Sequence, residues 1–324
     1  MRHQKTVNYA KWGYIFSVPF VVVFLLFSLY PILFTTVLGF TDLRGTATSF
    51  SFLSNPFENF QNIFSDPVFV KSFGNTMILW ICNFIPQIAL ALLLTAWFTN
   101  ENIRVRGQGA FKVLIYMPNI ITAATIAILF NTLFLYPSGP VNEILVQLGF
   151  IDKPQELLRN EWVDRGIVSF IQFWMWYGNT MIVLIAGVLG ISPTLFEAAS
   201  IDGASGVQTF FKVTLPNLRT ILLYTLVTSM IGGLQMFDIP KLLLGDEGPN
   251  NSMVTTSIYI YNKAFSGRYL YNQASAASLI MFVVIGILGG ILFFVMRDKD
   301  AAIMEKQRKA AIRAAKAAQK EAGV

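Results

Sequence analysis

Two residue types that build catalytic and metal sites are nearly missing from this chain. Its 324 residues include one cysteine, Cys82, and one histidine, His3. A single cysteine excludes an intrachain disulfide and a multi-cysteine metal site, and the single histidine removes histidine-based acid–base chemistry and histidine metal clusters. The G-x-x-x-x-G-K-[ST] motif is also absent, so the chain has no such phosphate-cradling loop for ATP hydrolysis. We therefore expect neither a metal site nor an ATPase here.

Charged residues are scarce as well, and their absence from long stretches indicates the class of protein. Charged side chains make up 13% of the chain and hydrophobic ones 54%, whereas soluble domains carry about 25% charge. A helix that crosses a lipid bilayer needs about 20 apolar residues. The sequence therefore predicts an all-α integral membrane protein with six transmembrane helices. The uncharged windows are residues 12–41, 72–100, 113–142, 166–196, 220–237 and 269–296.

Basic residues are divided unequally between the loops on the two sides of these windows. Six spans place both termini on one side, whose loops and tails hold 16 lysines and arginines against 8 on the other side. Because positive residues concentrate in cytoplasmic loops, both termini are predicted to be cytoplasmic. The net charge of +6 therefore indicates membrane topology and no nucleic-acid partner.

The same pattern divides the chain into three parts. Residues 1–11 form a basic cytoplasmic lead, residues 12–297 the six-helix transmembrane domain, and residues 298–324 a basic, alanine-rich cytoplasmic tail. Alanine favours helix in the tail. A solvated helix and a helix attracted to anionic lipid headgroups are both compatible with its charge.

Polar and aromatic side chains interrupt two of the windows. Asn83 and Gln87 lie four residues apart and share a helix face, where they serve either as hydrogen-bonding glue between helices or as the wall of a cavity. Trp176 belongs to an aromatic cluster that is either an interfacial belt or a stacking platform for a sugar ring. Asn179 and Thr180 follow it with groups that hydrogen-bond hydroxyls.

Ionisable residues follow the fifth window directly. Asp238 comes first, and an ionisable group at membrane depth is a functional candidate by default. At the rim of the membrane it can instead pair with Lys241, three residues further on. The sequence leaves both interpretations open.

A compact polar segment, residues 192–216, separates the fourth and fifth windows. Thr194 with Glu197 forms a capping-box pattern, which predicts a new short helix after a break. Gly203 marks its stop or bend, and Ser205 is placed to cap a second short helix. On the predicted cytoplasmic side, this segment is either a docking site for another protein or an ordinary loop helix.

Residues 197–216 read EAASIDGASGVQTFFKVTLP. This run resembles the EAA signature of permeases of ATP-binding-cassette importers, from which it departs by a Val-Thr pair before the final Leu-Pro. The resemblance implies a coupling helix that sits in a groove of an ATPase subunit, with Glu197 making polar contacts and Ala198, Ala199 and Gly203 permitting close packing. The coupling residues it implies are Glu197, Ala198, Ala199, Asp202, Gly203 and Pro216.

Other stretches are similar to the carbohydrate-uptake branch of these permeases, the maltose and multiple-sugar type. Residues 237–238 read FD and residues 255–261 read TTSIYIY, while Glu247 replaces the first glycine of the branch's Gly-Gly-Pro turn. The resemblance covers about residues 10–298 and implies that sugar contacts come from the fourth and fifth spans. The substrate-binding residues it implies are Trp176, Tyr177, Thr180, Gln235, Phe237 and Asp238.

The resemblance implies a type I importer (MetI-like) permease fold in a bacterial plasma membrane, and a role as half of the translocation path of an ATP-driven sugar importer. It implies as partners a second homologous permease, two ATPase subunits, an extracytoplasmic solute-binding protein and an oligosaccharide substrate. The chain itself is expected to be no enzyme and to bind no cofactor, since ATP and Mg²⁺ bind the ATPase. The alternative is an ion-coupled secondary transporter or channel, although the internal repeats and buried carboxylates frequent in such proteins are not evident.

Overall fold

The fold is helical through the described part of the chain, which confirms the predicted all-α class. The computed structural model describes residues 10–100, 106–245 and 247–297, and within them extended pairing is limited to one isolated bridge. Two predicted segments, the lead at 1–11 and the tail at 298–324, fall outside these residues, apart from the last two residues of the lead.

Five helices are long and apolar enough to cross a membrane, and a bent helix pair makes up to six. This agrees with the number predicted from the uncharged windows. We call them spans 1 to 6 in chain order. They are Lys11–Leu38, Pro67–Phe98, the pair Gln108–Ile120 and Ala123–Leu133, Glu161–Leu189, Arg219–Leu244, and Tyr271–Met296.

Span 3 is broken, whereas the sequence predicted one span through residues 113–142. Its two helices meet at an angle of 91°. Ile121 is extended, and the Thr122 hydroxyl accepts a hydrogen bond from the Thr125 N–H at 3.3 Å, which starts the second helix. Adjacent β-branched residues, one of them bonding the backbone locally, disfavour a continuous helix here. The end of the window belongs to a separate short helix, Pro140–Gln147.

Span 5 extends beyond the window that predicted it and is interrupted along its length. Its helices are Arg219–Leu234 and Asp238–Leu244, and Phe237 at the break has φ −133° and ψ −54°. The sequence placed Asp238 at the outer end of the span because the uncharged window stops there. The structure places it in the first turn of the second helix, where free backbone N–H groups favour a carboxylate.

One compact unit of the chain comprises Met1–Thr76 and Asp246–Val284. Buried amides hold its loops by bonding backbone carbonyls. Asn75 is 1% exposed, and its Nδ2 donates to the carbonyls of Asn251 at 2.8 Å and Val254 at 3.0 Å. Since these carbonyls lie far along the chain, one side chain fixes the loop before the helix that starts at residue 256.

A second buried amide in this unit acts in the same way. Asn59 Nδ2 donates to the carbonyls of Gly39 and Thr41 at 2.9 Å each. Its Oδ1 accepts a hydrogen bond from Asn272 Nδ2 at 3.0 Å. All of this pairing takes place in the interior, where an unpaired amide would be costly.

A polar cluster at the start of span 2 joins Asp66 to Tyr259 and Lys263. The Tyr259 hydroxyl donates to Asp66 Oδ2 at 2.7 Å, and Lys263 Nζ lies 2.9 Å from the same oxygen. Val68 N–H donates to Oδ1 at 2.9 Å. Burial raises the pKa of Asp66, but these hydrogen bonds and the lysine charge outweigh burial and hold the pKa below its usual value. Burial, and then the Asp66 carboxylate, raises the pKa of Tyr259.

The other compact unit comprises Met77–Gly245 and Ile285–Val324. A Cβ on Gly178 of span 4 would lie 2.2 Å from the Ile115 carbonyl oxygen of span 3, so the backbones of these spans touch and only glycine fits. Spans 2, 4 and 5 pack around an apolar cluster in this unit. Its buried members are Ala91, Leu94, Phe98, Met181, Leu184, Ile185 and Leu222.

Candidate functional site

A cavity of about 500 Å³ opens within the second unit, lined mainly by spans 2, 4 and 5. Its volume lies in the range of small-ligand sites, about 300–1,000 Å³. Amides, hydroxyls and aromatic rings alternate along its wall. Polar residues at membrane depth are functional-site candidates by default, so this wall is a candidate site for a polar solute.

One face of span 4 forms part of this wall. Gln172, Trp176, Asn179 and Val183 all line the cavity. They lie at i, i+4, i+7 and i+11, a spacing that puts side chains on one face of a helix. Trp176 is 45% exposed. The face therefore presents an indole between two amides.

Span 5 contributes small residues followed by its break. Ser229 and Gly232 line the cavity at a three-residue spacing, and Gln235, Phe237 and Asp238 line it where the helix is interrupted. An uninterrupted helix would turn consecutive side chains about 100° apart. The break lets five consecutive residues, 235–239, line the same space.

Gln87 of span 2 ties the other two spans together behind the wall. Its Nε2 donates to the Thr180 hydroxyl at 2.8 Å and to the Ser229 hydroxyl at 3.2 Å. The Thr180 hydroxyl in turn donates to the Trp176 carbonyl at 3.1 Å. Asn83, one turn before Gln87, also lines the cavity. The two roles left open for Asn83 and Gln87 therefore coincide, since Gln87 joins the helices that enclose the cavity.

Four amide or carboxylate side chains of the wall have no hydrogen-bond partner among the described residues: Gln172, Asn179, Gln235 and Asp238. Asp238 forms no ion pair with Lys241 in the described part of the chain, so the pairing considered from the sequence is not formed. Asp238 is also the one carboxylate among the described lining residues, which include no lysine or arginine. The wall thus offers free donors and acceptors and a single negative charge.

The structure gathers five of the six residues predicted to bind substrate around this cavity and excludes Tyr177. The Tyr177 ring stacks on Phe173, with 5.3 Å between ring centroids, and packs against the apolar cluster. Neighbouring helical residues point about 100° apart, so Tyr177 lies off the face of Trp176. Binding itself stays a prediction. The five lining residues are Trp176, Thr180, Gln235, Phe237 and Asp238.

The sequence prediction missed several lining residues. Gln172, Tyr224 and Thr228 were not proposed, yet all three line the cavity. A usable signal was present, because Gln172 lies one turn before Trp176, and Tyr224, Thr228 and Gly232 repeat every four residues. Helical spacing from the predicted residues would have found them.

The segment 192–216 begins with the helix Pro193–Ile201. The capping box predicted at Thr194 and Glu197 is wrong, because the helix starts one residue before Thr194. Proline is suited to the first helical position, where its missing N–H is not needed. The Thr194 hydroxyl instead lies 2.9 Å from the Ser192 hydroxyl.

Gly203 ends this helix, as predicted, with φ +71°. Its N–H donates to the Ser200 carbonyl at 3.1 Å, and the Ala204 N–H donates to the Ala199 carbonyl at 2.9 Å. This pair of bonds is the Schellman motif, which needs a left-handed residue and so favours glycine. Ser205 then caps the next short helix in a capping box, which confirms its predicted role.

The outer face of the helix Pro193–Ile201 carries a charge beside an apolar side chain. Glu197 is exposed and Ile201, one turn further, is 87% exposed. Ala199 lies on the opposite side and is buried within the chain, so the structure shows it packing inside this chain, and its predicted contact with another protein stays a prediction. The other predicted coupling residues are exposed: Glu197, Ala198, Asp202, Gly203 and Pro216.

Comparison with curated proteins finds sugar-transport permeases. Lactose transport system permease protein LacF of Rhizobium radiobacter is 31% identical over 288 residues, which is 89% of this chain and 94% of LacF. Arabinooligosaccharides transport system permease protein AraP of Bacillus subtilis is 29% identical over 276 residues, 84% of each chain.

Solved structures share the fold. A chain from the crystal structure of a bacterial alginate ABC transporter, in complex with alginate pentasaccharide-bound periplasmic protein, matches with a TM-score of 0.74, 25% identity, and coverage of 89% of this chain and 94% of that chain. A chain of a bacterial ABC transporter involved in the import of the acidic polysaccharide alginate matches with a TM-score of 0.68, 24% identity, and coverage of 89% and 95%.

The family of binding-protein-dependent transport system inner membrane components matches residues 71–299. This match covers more than half of the chain and includes spans 3 to 6 and almost all of span 2. The chain is therefore a transport subunit that crosses the plasma membrane several times, and it belongs to the family of binding-protein-dependent transport system inner membrane components.

Proposed function

We propose that this chain is one permease subunit of an ATP-driven importer of saccharides and forms half of the translocation path. The observation that carries the proposal is the cavity wall, which presents unpaired amides around the exposed indole of Trp176. Amide groups both donate and accept hydrogen bonds, as sugar hydroxyls require. The permeases for lactose and arabinooligosaccharides among the relatives support a saccharide as the solute.

The side chains of the wall divide into two roles in this proposal. Trp176 packs against the apolar face of a sugar ring, and Gln172, Asn179 and Gln235 hydrogen-bond its hydroxyls. Gln87 holds spans 4 and 5 at the separation that the sugar needs, because both its amide hydrogen bonds go to protein hydroxyls. In this proposal the unpaired amides bind the sugar, and the paired amide of Gln87 maintains the shape of the cavity.

Energy enters through the helix Pro193–Ile201, which we place on the cytoplasmic side, as both termini are. Its exposed face suits a groove that offers a polar partner to Glu197 and an apolar contact to Ile201. The helix ends in a rigid Schellman motif at Gly203, so a push on it moves the start of span 5. ATP and Mg²⁺ bind the partner ATPase, and this chain holds no cofactor of its own.

The working importer contains a second homologous permease, two ATPase subunits and an extracytoplasmic binding protein that delivers the saccharide. The periplasmic protein in the matched alginate transporter structure supports the last of these partners. ATP binding closes the ATPase pair, moves the coupling helices and turns the cavity from one side of the membrane to the other. Such coupling requires that each ligand favours one of the two states.

Replacement of Trp176 tests the solute site. Trp176→Ala is expected to lower uptake of radiolabelled disaccharides severalfold, up to about tenfold, since an aromatic contact is worth roughly 0.5–1.5 kcal/mol. The matched control is Trp174→Ala on the same helix, because Trp174 packs on Phe130 with 6.1 Å between ring centroids and does not line the cavity. Equal uptake in the parent and Trp176→Ala proteins, at equal membrane abundance, would contradict the proposed site.

Charge reversal on the coupling helix tests the energy source. Glu197→Lys is expected to abolish ATP-driven uptake and to weaken retention of the ATPase subunit, while membrane insertion stays intact. Glu143→Lys makes the same change on an exposed residue of the short helix Pro140–Gln147 and is expected to leave uptake unchanged. Uptake that persists without any ATPase subunit would favour an ion-coupled transporter instead.

A further inference from the structure

We infer that Asp238 makes the cavity selective for uncharged saccharides and excludes saccharides that carry a carboxylate. The inference rests on the proposed function and narrows its substrate class. Relatives do not decide this point, because they include a lactose permease and a transporter of the acidic polysaccharide alginate. The charged residues of the cavity wall therefore have to distinguish between a neutral and an acidic substrate.

Asp238 is a negative charge without a counter-charge. No lysine or arginine is among the described residues that line the cavity, and no other lining residue carries a carboxylate. Lys241 lies one turn further along the same helix, outside the lining residues and without an ion pair to Asp238 in the described chain. An anionic ligand in this cavity therefore meets repulsion and finds no cation to offset it.

The break in span 5 fixes this carboxylate at the cavity. Asp238 occupies the first turn of the helix Asp238–Leu244, directly after the interruption at Phe237. Ile239 and Pro240, which follow it, are buried and anchor this turn in the unit. The buried turn therefore fixes the backbone position of Asp238 beside the cavity.

Hydrogen-bond chemistry favours the same class of ligand. A carboxylate only accepts hydrogen bonds, so Asp238 pairs with sugar hydroxyls, which donate. A uronic acid offers its own carboxylate, which has nothing to donate and no cationic group here to accept from. An unpaired charge placed against the wrong ligand is an established source of selectivity.

Protection from alkylation tests this selectivity without the binding protein, which could otherwise select the solute first. The test uses the full chain with its partner subunits in membranes, with Cys82→Ser to remove the native thiol and Val183→Cys to place a thiol at the cavity wall. Lactose, maltose and cellobiose, each compared with its uronic-acid counterpart, serve as protectants against a membrane-permeant maleimide.

Neutral disaccharides are expected to slow alkylation at concentrations at least about tenfold below their uronic-acid counterparts. Asp238→Asn is expected to reduce that ratio at least about fivefold, and Asp238→Lys is expected to reverse it. Glu143→Gln, a distant exposed carboxylate, is expected to leave the ratio unchanged. Because the two Asp238 variants are expected to change the ratio by different amounts, either one alone still tests the inference if the other fails to insert.

Each contrary outcome has a distinct meaning. Equal protection by neutral and acidic disaccharides in the parent protein overturns the inference while the saccharide function stands. A ratio that neither Asp238 variant alters shows that another group sets selectivity, which also overturns it. Absence of protection by any saccharide contradicts the proposed function itself.

Discussion

Two regions of this protein use the same types of polar side chain for different purposes. In the unit formed by Met1–Thr76 and Asp246–Val284, the buried amide of Asn75 donates both its hydrogens to backbone carbonyls. Along the cavity of the other unit, Gln172 and Asn179 have no partner within the described protein. Both regions place amides within apolar helices. The amide in the first region has hydrogen-bond partners in the protein, whereas these two along the cavity have none among the described residues.

The difference shows how a membrane protein separates structural from functional polarity. A buried amide with all its partners stabilises one arrangement of loops, because leaving any group unpaired would cost about 1–3 kcal/mol. An amide that faces a water-filled cavity avoids that cost, so it is free to exchange water for a solute. Gln87 stands between the two cases, since it lines the cavity but spends both donors on hydroxyls of spans 4 and 5.

The largest expected effect concerns the support of the open region. Gly178→Ala is expected to lower the free energy of unfolding by about 3 kcal/mol or more, because the new Cβ would lie 2.2 Å from the Ile115 carbonyl oxygen. Gly166→Ala on the same helix meets open space and is expected to stabilise slightly through helix propensity. Thermal unfolding in detergent measures both. A mild effect at Gly178 would mean that the wall tolerates movement between spans 3 and 4.

The next effect compares one amide from each region. Asn75→Ala is expected to lower the free energy of unfolding by roughly 2–4 kcal/mol, because two buried carbonyls lose their donor. Asn179→Ala is expected to change it by less than about 0.5 kcal/mol. Denaturation curves of the two purified variants check this pair. Similar losses of stability in both variants would contradict the distinction between structural amides, which are hydrogen-bonded within the protein, and cavity amides, which are not.

The same distinction predicts the reverse ranking for transport. Gln172→Ala is expected to lower saccharide uptake roughly tenfold at unchanged thermal stability, since one hydrogen bond to a solute hydroxyl is worth about 1 kcal/mol or somewhat more. Gln147→Ala, on an exposed residue outside the cavity, is the control. Uptake assays at matched membrane abundance measure the effect. Normal uptake by Gln172→Ala would show that the Gln172 amide does not hydrogen-bond the transported saccharide.

The smallest effect concerns pH and the Asp66 cluster. The folded-state pKa of Asp66 is lowered, so its carboxylate stabilises the fold above the unfolded pKa of about 3.9 and this contribution is lost as the pH falls through the lowered value. Asp66→Asn is expected to cost at most about 1 kcal/mol at pH 7, because Asp66 and its partner Lys263 are only partly buried. The cost should shrink steadily as the pH falls below about 3.9. Melting curves across this range test it, and a cost that grows on acidification would contradict the assigned sign.

Sequence reasoning reached the architecture and about half of the cavity. Trp176 and Asp238 stood out in the sequence as an indole and a carboxylate beside apolar windows, and the family resemblance then assigned both to the substrate site. Gln172 and Thr228 were missed, since single amides and hydroxyls are common in spans and carry no signal unless helical spacing is followed from a known member. Tyr177 was assigned to the site by the family resemblance, whereas its position on the helix places it against the apolar cluster.

The sequence alone determined the class, the number of spans and the two short helices of residues 192–216, because uncharged length, charge asymmetry and turn residues such as Gly203 and Ser205 act within a few positions of themselves. Only the tertiary structure decided the 91° break in span 3 and the interruption before Asp238. The tertiary structure also decided which amide side chains have hydrogen-bond partners within the protein and which do not. The partners of Asn75 lie at residues 251 and 254, and hydrogen bonding at such sequence separation depends on packing, which no local pattern encodes.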